Sequence, residues 1–454
     1  MLSLRAAFDR VKQSDLEVEG LLPAARVKAA CEAVGYRDRG GLYTASCTMQ
    51  MFLTQVLRPD RSCQQAVCGL AAHRVAREKK ACSVATGGYC VARQRLPEDV
   101  FWRLLRESSD ELEQTGSAEW LWCNRRVRAV DGSTLLIPDT AENRREYPLQ
   151  AGQQPGCHFP LVRILAVFSL GTGLVLDAAL RPYKGKGTGE TSMLRELADR
   201  FAAGDVLLGD RYFAGYWDMA WWLARGVDVV TRLPVSRHSD FRRGTRLGRD
   251  DHLIVWKRTQ RPSWLSREEA QALPAELTLR EVRVRVSVPG FRTKSVTVVT
   301  SLLDARAYPA KKLAELYRRR WQAELNLRSL KTHMEMEQLR TKKPATIRKE
   351  FVMHLLAYNG VRRLTLEAAR VSQQEPWQIS FKGTLQTLLE FLARFHQITS
   401  VSHWVDEMLN ASAQIQVGRR PDRVEPRTVK RRPKDYPPLT EPRQKYRKRV
   451  GAKG

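Results

Sequence analysis

The apolar residues of this 454-residue chain change period at about Arg125, and no other feature constrains the fold as tightly. The segment RVRAVDGSTLLI (126–137) alternates and is rich in β-branched residues, which predicts a strand. LVRILAVFSL and LVLDAALRPY predict two more, joined by a tight turn at Gly171-Thr172-Gly173. A helix is expected from about Ser192 to Ala202, a short buried strand at DVLLGD, a helix at WDMAWWLAR and a strand at VDVVTRL. The order β-β-β-α-β-α-β calls for an α/β architecture, a sheet with helices packed on its faces.

Flanking regions have different character. Before residue 115 the apolar spacing is helical at Ala24–Val34, Cys47–Leu57 and Cys63–Glu78, with Ser62 as a candidate N-cap. A Thr-Gly-Gly turn and a short basic helix carrying Arg93 and Arg95 follow, which fits a helix-turn-helix or an ordinary bundle with a basic solvent face. From Pro234 to Leu303 the segments HLIVWKR, LREVRVRVSV and KSVTVVTSL read as antiparallel strands. In the second, Val282, Val284, Val286 and Val288 share one face and Arg280, Arg283 and Arg285 make the outer face partly basic. A long helix is expected over Lys311–Met336, with helical patterns continuing at Phe351–Val371 and Gly383–Phe395. The tail from Gly418 carries 14 basic and 4 acidic residues among prolines and cannot build a core.

The formal charge of +28 points to a large anionic partner, most often nucleic acid. Apolar runs are too short to span a bilayer, and the N-terminus lacks the apolar region of a secretion signal, so a cytoplasmic protein is expected. The 8 cysteines form no C-x-x-C pair and read as free thiols buried as small hydrophobes, with no zinc site. KGKGTGE (184–190) does not match a phosphate-binding P-loop and reads as a flexible basic loop.

Three carboxylates carry the chemistry. Asp131 and Asp210 end apolar strands and Glu324 lies mid-helix in YRRRWQAELNLRSLK. A carboxylate at the end of a buried strand costs desolvation unless a cation sits beside it. Two of them and a third on a facing helix are hard oxygen ligands for Mg²⁺. Asp139 competes with Asp131 for the first position, and each acid also has a local structural reading: Asp131 in a turn, Asp210 paired with Arg211, Glu324 paired with Arg320 or Arg328. Tyr317, Arg320, Glu324 and Lys331 project within an arc of about 60° on a regular helix. A face of Tyr, Arg, carboxylate and Lys suits a metal ligand flanked by phosphate-binding groups. Trp321 lies beside the arc, where it either stacks on an unpaired base or packs between helices.

These residues resemble the bacterial insertion-sequence transposases of the DDE type that carry a Y-(2)-R-(3)-E-(6)-K signature, with every interval matching. VDGSTLLIPDT and GDRYFAGY are similar to the regions of the family's first and second aspartates. The strand-helix order likewise resembles the ribonuclease H-like fold. The resemblance implies a ribonuclease H-like mixed-sheet core with a β-rich insertion and an N-terminal helical domain. It implies Asp131, Asp210 and Glu324 as catalytic metal ligands, two Mg²⁺ ions with Mn²⁺ able to substitute, and cut-and-paste transposition by cleavage at transposon ends and strand transfer into target DNA. Tyr317, Arg320, Lys331 and Trp321 would contact double-stranded DNA, with Trp256 or Trp264 as further candidates for a flipped base. Release through a hairpin and a homodimer on two ends are also implied. The expected divisions are a helical DNA-binding domain (1–115), catalytic core (116–233 and 305–372), β-rich insertion (234–304), C-terminal helices (373–417) and disordered basic tail (418–454). A two-metal nuclease that cuts without joining, and a non-catalytic DNA-binding inhibitor of transposition, are the alternatives.

Overall fold

The computed structural model describes Leu4, Phe8 and residues 20–285, 295–397, 399–418 and 437–451. Among the described residues five helices precede the sheet: α1 (Ala24–Ala33), α2 (Ala45–Leu57), α3 (Cys63–Ala76), α4 (Gly87–Arg95) and α5 (Glu98–Gln114). Ser62 caps α3, its Oγ accepting from Gln65 N at 3.1 Å, and Thr44 caps α2 in the same way. The sheet then begins with β1 (Val127–Leu136), followed by α6 (Ala141–Glu146), β2 (Leu161–Ser169), β3 (Val175–Pro182), α7 (Glu190–Glu196), β4 (Val206–Leu208), α8 (Tyr216–Leu223) and β5 (Asp228–Arg232). β6 (Thr245–Gly248), β7 (Asp251–Lys257), α9 (Arg267–Ala272), β8 (Glu276–Arg285) and β9 (Ser295–Thr300) come next. The chain returns through α10 (Ala310–Arg319), α11 (Trp321–Arg328), α12 (Pro344–Val371), α13 (Phe381–Ala393), α14 (Val401–Gln414) and α15 (Arg443–Gly451).

Among the described residues one nine-stranded sheet has the order β3-β2-β1-β4-β5-β9-β8-β7-β6. β1, β2 and β3 form an antiparallel meander, and β4 and β5 run parallel to β1 on its other side. With its covering helices, this is the mixed sheet of a ribonuclease H-like core. The segment after β5 pairs back onto the same sheet: β9 lies antiparallel to β5, with Val230 opposite Thr300, and β8, β7 and β6 extend it. The strands of residues 234–304 are thus a lateral extension of the core sheet.

α12 is the spine. It packs against α2, α5, α13, α14 and β3, so the N-terminal helices share a core with the sheet. Three of its buried polar side chains hold other elements. Asn359 donates to Val175 O and accepts from Val175 N, clamping the start of β3. Glu350 accepts from the backbone N–H of Arg340 and Thr341, and Lys349 donates to Arg93 O and Gln94 O. Such pairing is what makes burial of these groups tolerable.

Several expectations change. Arg93 is buried rather than on a basic face: its guanidinium lies over the rings of Phe52 and Tyr89 and donates to Gln55. Arg280 is fully buried and bonds both oxygens of Asp251, while Arg283 and Arg285 lie outside, near Asp250. Strand parity explains this, because Arg280 shares a face with Val282 and Val284. Val286 and Val288 lie outside the described residues. The cysteines are free, and Cys68 and Cys123 are exposed rather than buried. The tail is not featureless, since Arg443–Gly451 is helical, while residues 419–436 and 452–454 lie outside the described residues. No helix among the described residues is long and apolar enough to cross a membrane.

A buried ion-pair cluster locks the base of β1. Arg128 Nε donates to Asp205 Oδ2 at 2.9 Å and its Nη1 pairs with Glu113 of α5. Replacing Arg128 strands the buried Asp205 carboxylate and the partly buried Glu113 carboxylate. Arg128→Met is expected to cost about 3–5 kcal/mol, read as a lower midpoint in chemical denaturation, and Arg128→Met combined with Asp205→Leu to recover part of that loss.

Candidate active site

The sheet has a notch. β1 and β4 pair only over Val127–Ala129 and Val206–Leu208. β4 stops there, and β1 runs on to Leu136 with β2 on one side and, among the described residues, only a single bridge from Leu136 to Gln338 on the other. Asp131 lies two residues beyond the paired part of β1 and Asp210 two residues beyond the end of β4. This gap between the carboxyl ends of two parallel strands, where the strand order reverses, is where open α/β sheets bind ligands. Gly209 allows the chain to turn, since a Cβ there would meet the Phe213 ring at 2.8 Å. Asp210 then caps a 3₁₀ turn, its Oδ1 accepting from Tyr212 N at 2.7 Å.

α11 packs against β1 and supplies the third carboxylate. Burial pushes the Asp131 carboxyl up to about 7, the negative charge of Glu324 adds to the rise, and the Arg320 guanidinium and the Gly132 N–H oppose it. Arg320 is therefore the counter-ion of the pair. It donates to Glu324 Oε1 at 2.6 Å and lies 5.9 Å from the Tyr317 ring centroid. Burial raises the Tyr317 hydroxyl as well, with Arg320 and Arg232 drawing it down and Asp210 pushing it up. Lys331 Nζ donates to Ser133 Oγ at 3.1 Å, two residues along β1 from Asp131. The notch thus holds Asp131, Asp210, Glu324, Tyr317, Arg320 and Lys331 together.

The helix that carries four of them is not the single rod expected. α10 and α11 meet at Arg320, and α11 passes into a π-helical turn over Ser329–His333. Lys331 sits in that turn, so the regular 100° step does not place it; its bond to Ser133 does. π-turns recur at functional sites because the extra residue re-aims one side chain. Trp321 is 56% exposed and so is not a helix-packing residue. Trp256 is buried beneath Arg237, and Trp264 packs between Arg195 and Trp221, so neither presents a free ring face. Asp139 is engaged elsewhere, paired with Arg144 and accepting from the Gly156 N–H.

One group at the notch has no counterpart in the sequence expectations. Glu190, at the start of α7, faces both Asp131 and Asp210, and burial raises its carboxyl. No spacing signal links it to residues nearly sixty positions earlier. The donors are carboxylate oxygens only, which is the chemistry of a hard divalent cation. Among the described residues no three acidic, Cys or His side chains are gathered closely enough to hold a metal ion. A cation at the notch would remove the repulsion from Glu324 that adds to the rise at Asp131.

Comparison with known proteins agrees with this chemistry. The family model "Transposase DDE domain" matches residues 122–359. The transposase InsG for insertion sequence element IS4 of Escherichia coli (strain K12) is 26% identical over 363 residues, covering 78% of this chain and 78% of that protein. Among solved structures, the piggyBac transposase synaptic complex with hairpin DNA aligns over 90% of this chain and 85% of that one, at 12% identity and a TM-score of 0.43.

The raised Asp131 carboxyl has a signature in the metal-free protein. Between about pH 4 and 7 the folded state holds a proton that the unfolded chain has released, so stability falls as pH rises through that window. Asp131→Asn has no charge to bury. It is expected to be more stable than the unsubstituted protein at pH 8, by about 1–2 kcal/mol after solvent screening, with the difference closing by pH 5 in thermal denaturation.

Proposed function

Because the chain belongs to the DDE transposase family, and is therefore a DNA transposase acting on phosphodiester bonds, we propose that the notch beside β1 is its catalytic centre, with Asp131, Asp210 and Glu324 as the catalytic carboxylates. The observation that carries this reading is the forced proximity of Asp131 and Glu324, with Arg320 bonded to Glu324 and Lys331 tied to the same strand. Enzymes of this family use divalent metal; here Mg²⁺ is the ion proposed, two of them, with Mn²⁺ as a substitute. Bound by these carboxylates, the ions would supply the Lewis-acid field that activates an attacking oxygen and stabilises the leaving one.

The surrounding residues have distinct tasks in this reading. Arg320 and Lys331 offer cationic donors to the phosphates either side of the reacting bond, and both are held in place by side-chain bonds before DNA arrives. The Tyr317 hydroxyl, kept protonated by burial, donates to a phosphate oxygen. Trp321 offers an exposed ring on which an unpaired base stacks. The substrates are double-stranded transposon ends and target DNA, with release through a hairpin, and the active form is a homodimer that holds two ends. The protein works on the bacterial nucleoid in the cytoplasm. Residues 1–115 contribute to DNA binding, 116–233 and 305–372 form the catalytic core, and 234–304 the insertion. Residues 373–417 form the C-terminal helices, and the basic tail from 418 adds sequence-neutral affinity.

Cleavage of labelled transposon ends and strand transfer of pre-cut ends, each with Mg²⁺, test the assignment. Asp210→Asn and Glu324→Gln are expected to lose both activities by about 10³-fold or more, and the double variant to lose little further, as groups acting as a unit do. Cleavage without joining by the unsubstituted protein would favour a nuclease. DNA binding with neither activity, unchanged by these substitutions, would leave a non-catalytic binding protein. Trp321→Ala is expected to weaken binding to ends with unpaired terminal bases by about 1–3 kcal/mol in titrations, and to leave fully paired duplex binding unchanged.

A further inference from the structure

Two cysteines outside the notch make a contact that the proposed function does not use. Cys63 is the first residue of α3 and Cys90 lies in the first turn of α4. Both are half-buried. Their sulfurs lie 3.8 Å apart, with the Cys90 thiol donating to Cys63 Sγ. A disulfide bond is about 2.05 Å long, so the two sulfurs have about 1.8 Å to close. The surroundings of Cys63 Sγ suit a thiolate. It also accepts from Arg93 Nη2 at 3.4 Å and from Gln55 Nε2 at 3.8 Å, so three donors converge on one sulfur. Its place at the start of α3 adds the positive end of a helix dipole. Burial pushes the thiol up, and the Arg93 charge opposes that rise.

Arg93 supplies a second, independent observation. Its side chain is nine-tenths buried, yet no carboxylate bonds it among the described residues. Nη1 donates to the neutral amide of Gln55 at 3.2 Å, and Nε has no partner. Glu350, which acts on it through space, is engaged by the N–H groups of Arg340 and Thr341. Burial keeps the Tyr89 hydroxyl beside it protonated. A buried guanidinium costs desolvation unless an anion sits against it. Of the two groups that accept from Arg93, the Cys63 sulfur is the one that can carry that charge.

We propose that Cys63 and Cys90 are a peroxide-oxidisable thiol pair, Cys63 the nucleophile and Cys90 the resolving thiol, which closes a disulfide between α3 and α4. The Cys63 thiolate attacks one oxygen of hydrogen peroxide and the O–O bond breaks. The departing hydroxide takes up the proton that Cys63 released, leaving water and a sulfenic acid. The Cys90 sulfur then attacks the Cys63 sulfur. The S–S bond forms, the S–O bond breaks, and the hydroxide leaves as a second water with the Cys90 proton. Two thiols become one disulfide while one peroxide becomes two waters. Half-burial of both sulfurs favours an oxidant this small over a bulky disulfide. The proposal does not rest on the catalytic assignment of the notch.

The full-length reduced protein, treated with limiting hydrogen peroxide, alkylated and digested, tests this by peptide mass spectrometry. A Cys63–Cys90 cross-linked peptide is expected. Both thiols should be lost about 10-fold faster than those of Cys68 and Cys123, whose exposure makes them internal controls. Cys90→Ser is expected to hold Cys63 as a sulfenic acid that dimedone traps, and Cys63→Ser to leave Cys90 reacting no faster than Cys68. Loss of Cys63 at the rate of Cys68 or slower overturns the proposal, as does a disulfide that joins either residue to a different cysteine. Dimedone labelling of Cys90 in Cys63→Ser, with none of Cys63 in Cys90→Ser, overturns the roles assigned to the two.

Discussion

Negative charge held at the open edge of β1 is the constraint on which the rest of the structure depends. Asp131 is half-buried, and burial, with repulsion from Glu324 adding to it, lifts its carboxyl to about 7. A core built for stability alone would not place acids this way. The arrangement persists because each carboxylate is fixed by its own element: Asp131 by a long strand, Asp210 by a capped 3₁₀ turn, Glu324 by a helix packed on β1. Arg320 offsets part of the repulsion, and a divalent ion is the partner that would offset the rest. In the proposed function, stability is given up locally for a preorganised charge distribution.

The architecture makes that concession tolerable. Antiparallel pairing with β2 holds β1 along its whole length, so the missing partner beyond Ala129 does not unravel it. The Arg128 cluster locks the other end of the strand to α5. Behind the sheet, α12 ties β3 and the N-terminal helices into one core through paired polar groups. The extension β6–β9 separates Asp210 and Glu324 by more than a hundred residues, yet β9 returns to pair with β5 and α10 packs on β9, which delivers α11 to the notch. Long-range pairing of this kind carries a loop-closure cost that a rigid sheet edge repays.

How much was legible in the sequence depends on whether a local or a distant neighbour decides the matter. The alternation around Asp131, the turn at Gly171–Gly173 and the cap at Ser62 were readable because strand pleat, turn chemistry and capping are short-range. The spacing of Tyr317, Arg320 and Glu324 was readable for the same reason. The burial of Arg280 was also available from parity alone, since it alternates in step with Val282 and Val284. By contrast, Arg93 carries the same local signature as a solvent-facing arginine. Only Phe52, Tyr89 and Gln55, brought in by other helices, decide that it is buried.

By itself, then, the amino-acid order determined the strand and helix alternation, the acidic residues at the strand ends, and one face of the helix that carries Glu324, because each follows from periodicities of two and 3.6 residues. Tertiary structure alone decided that β4 stops short to open the notch, that a π-turn and Ser133 rather than helical phase aim Lys331, and that Glu190 comes to rest where Gly132 lacks a side chain. Those outcomes depend on which surfaces meet when the sheet closes, and charge and shape complementarity between segments far apart in the chain have no period to read.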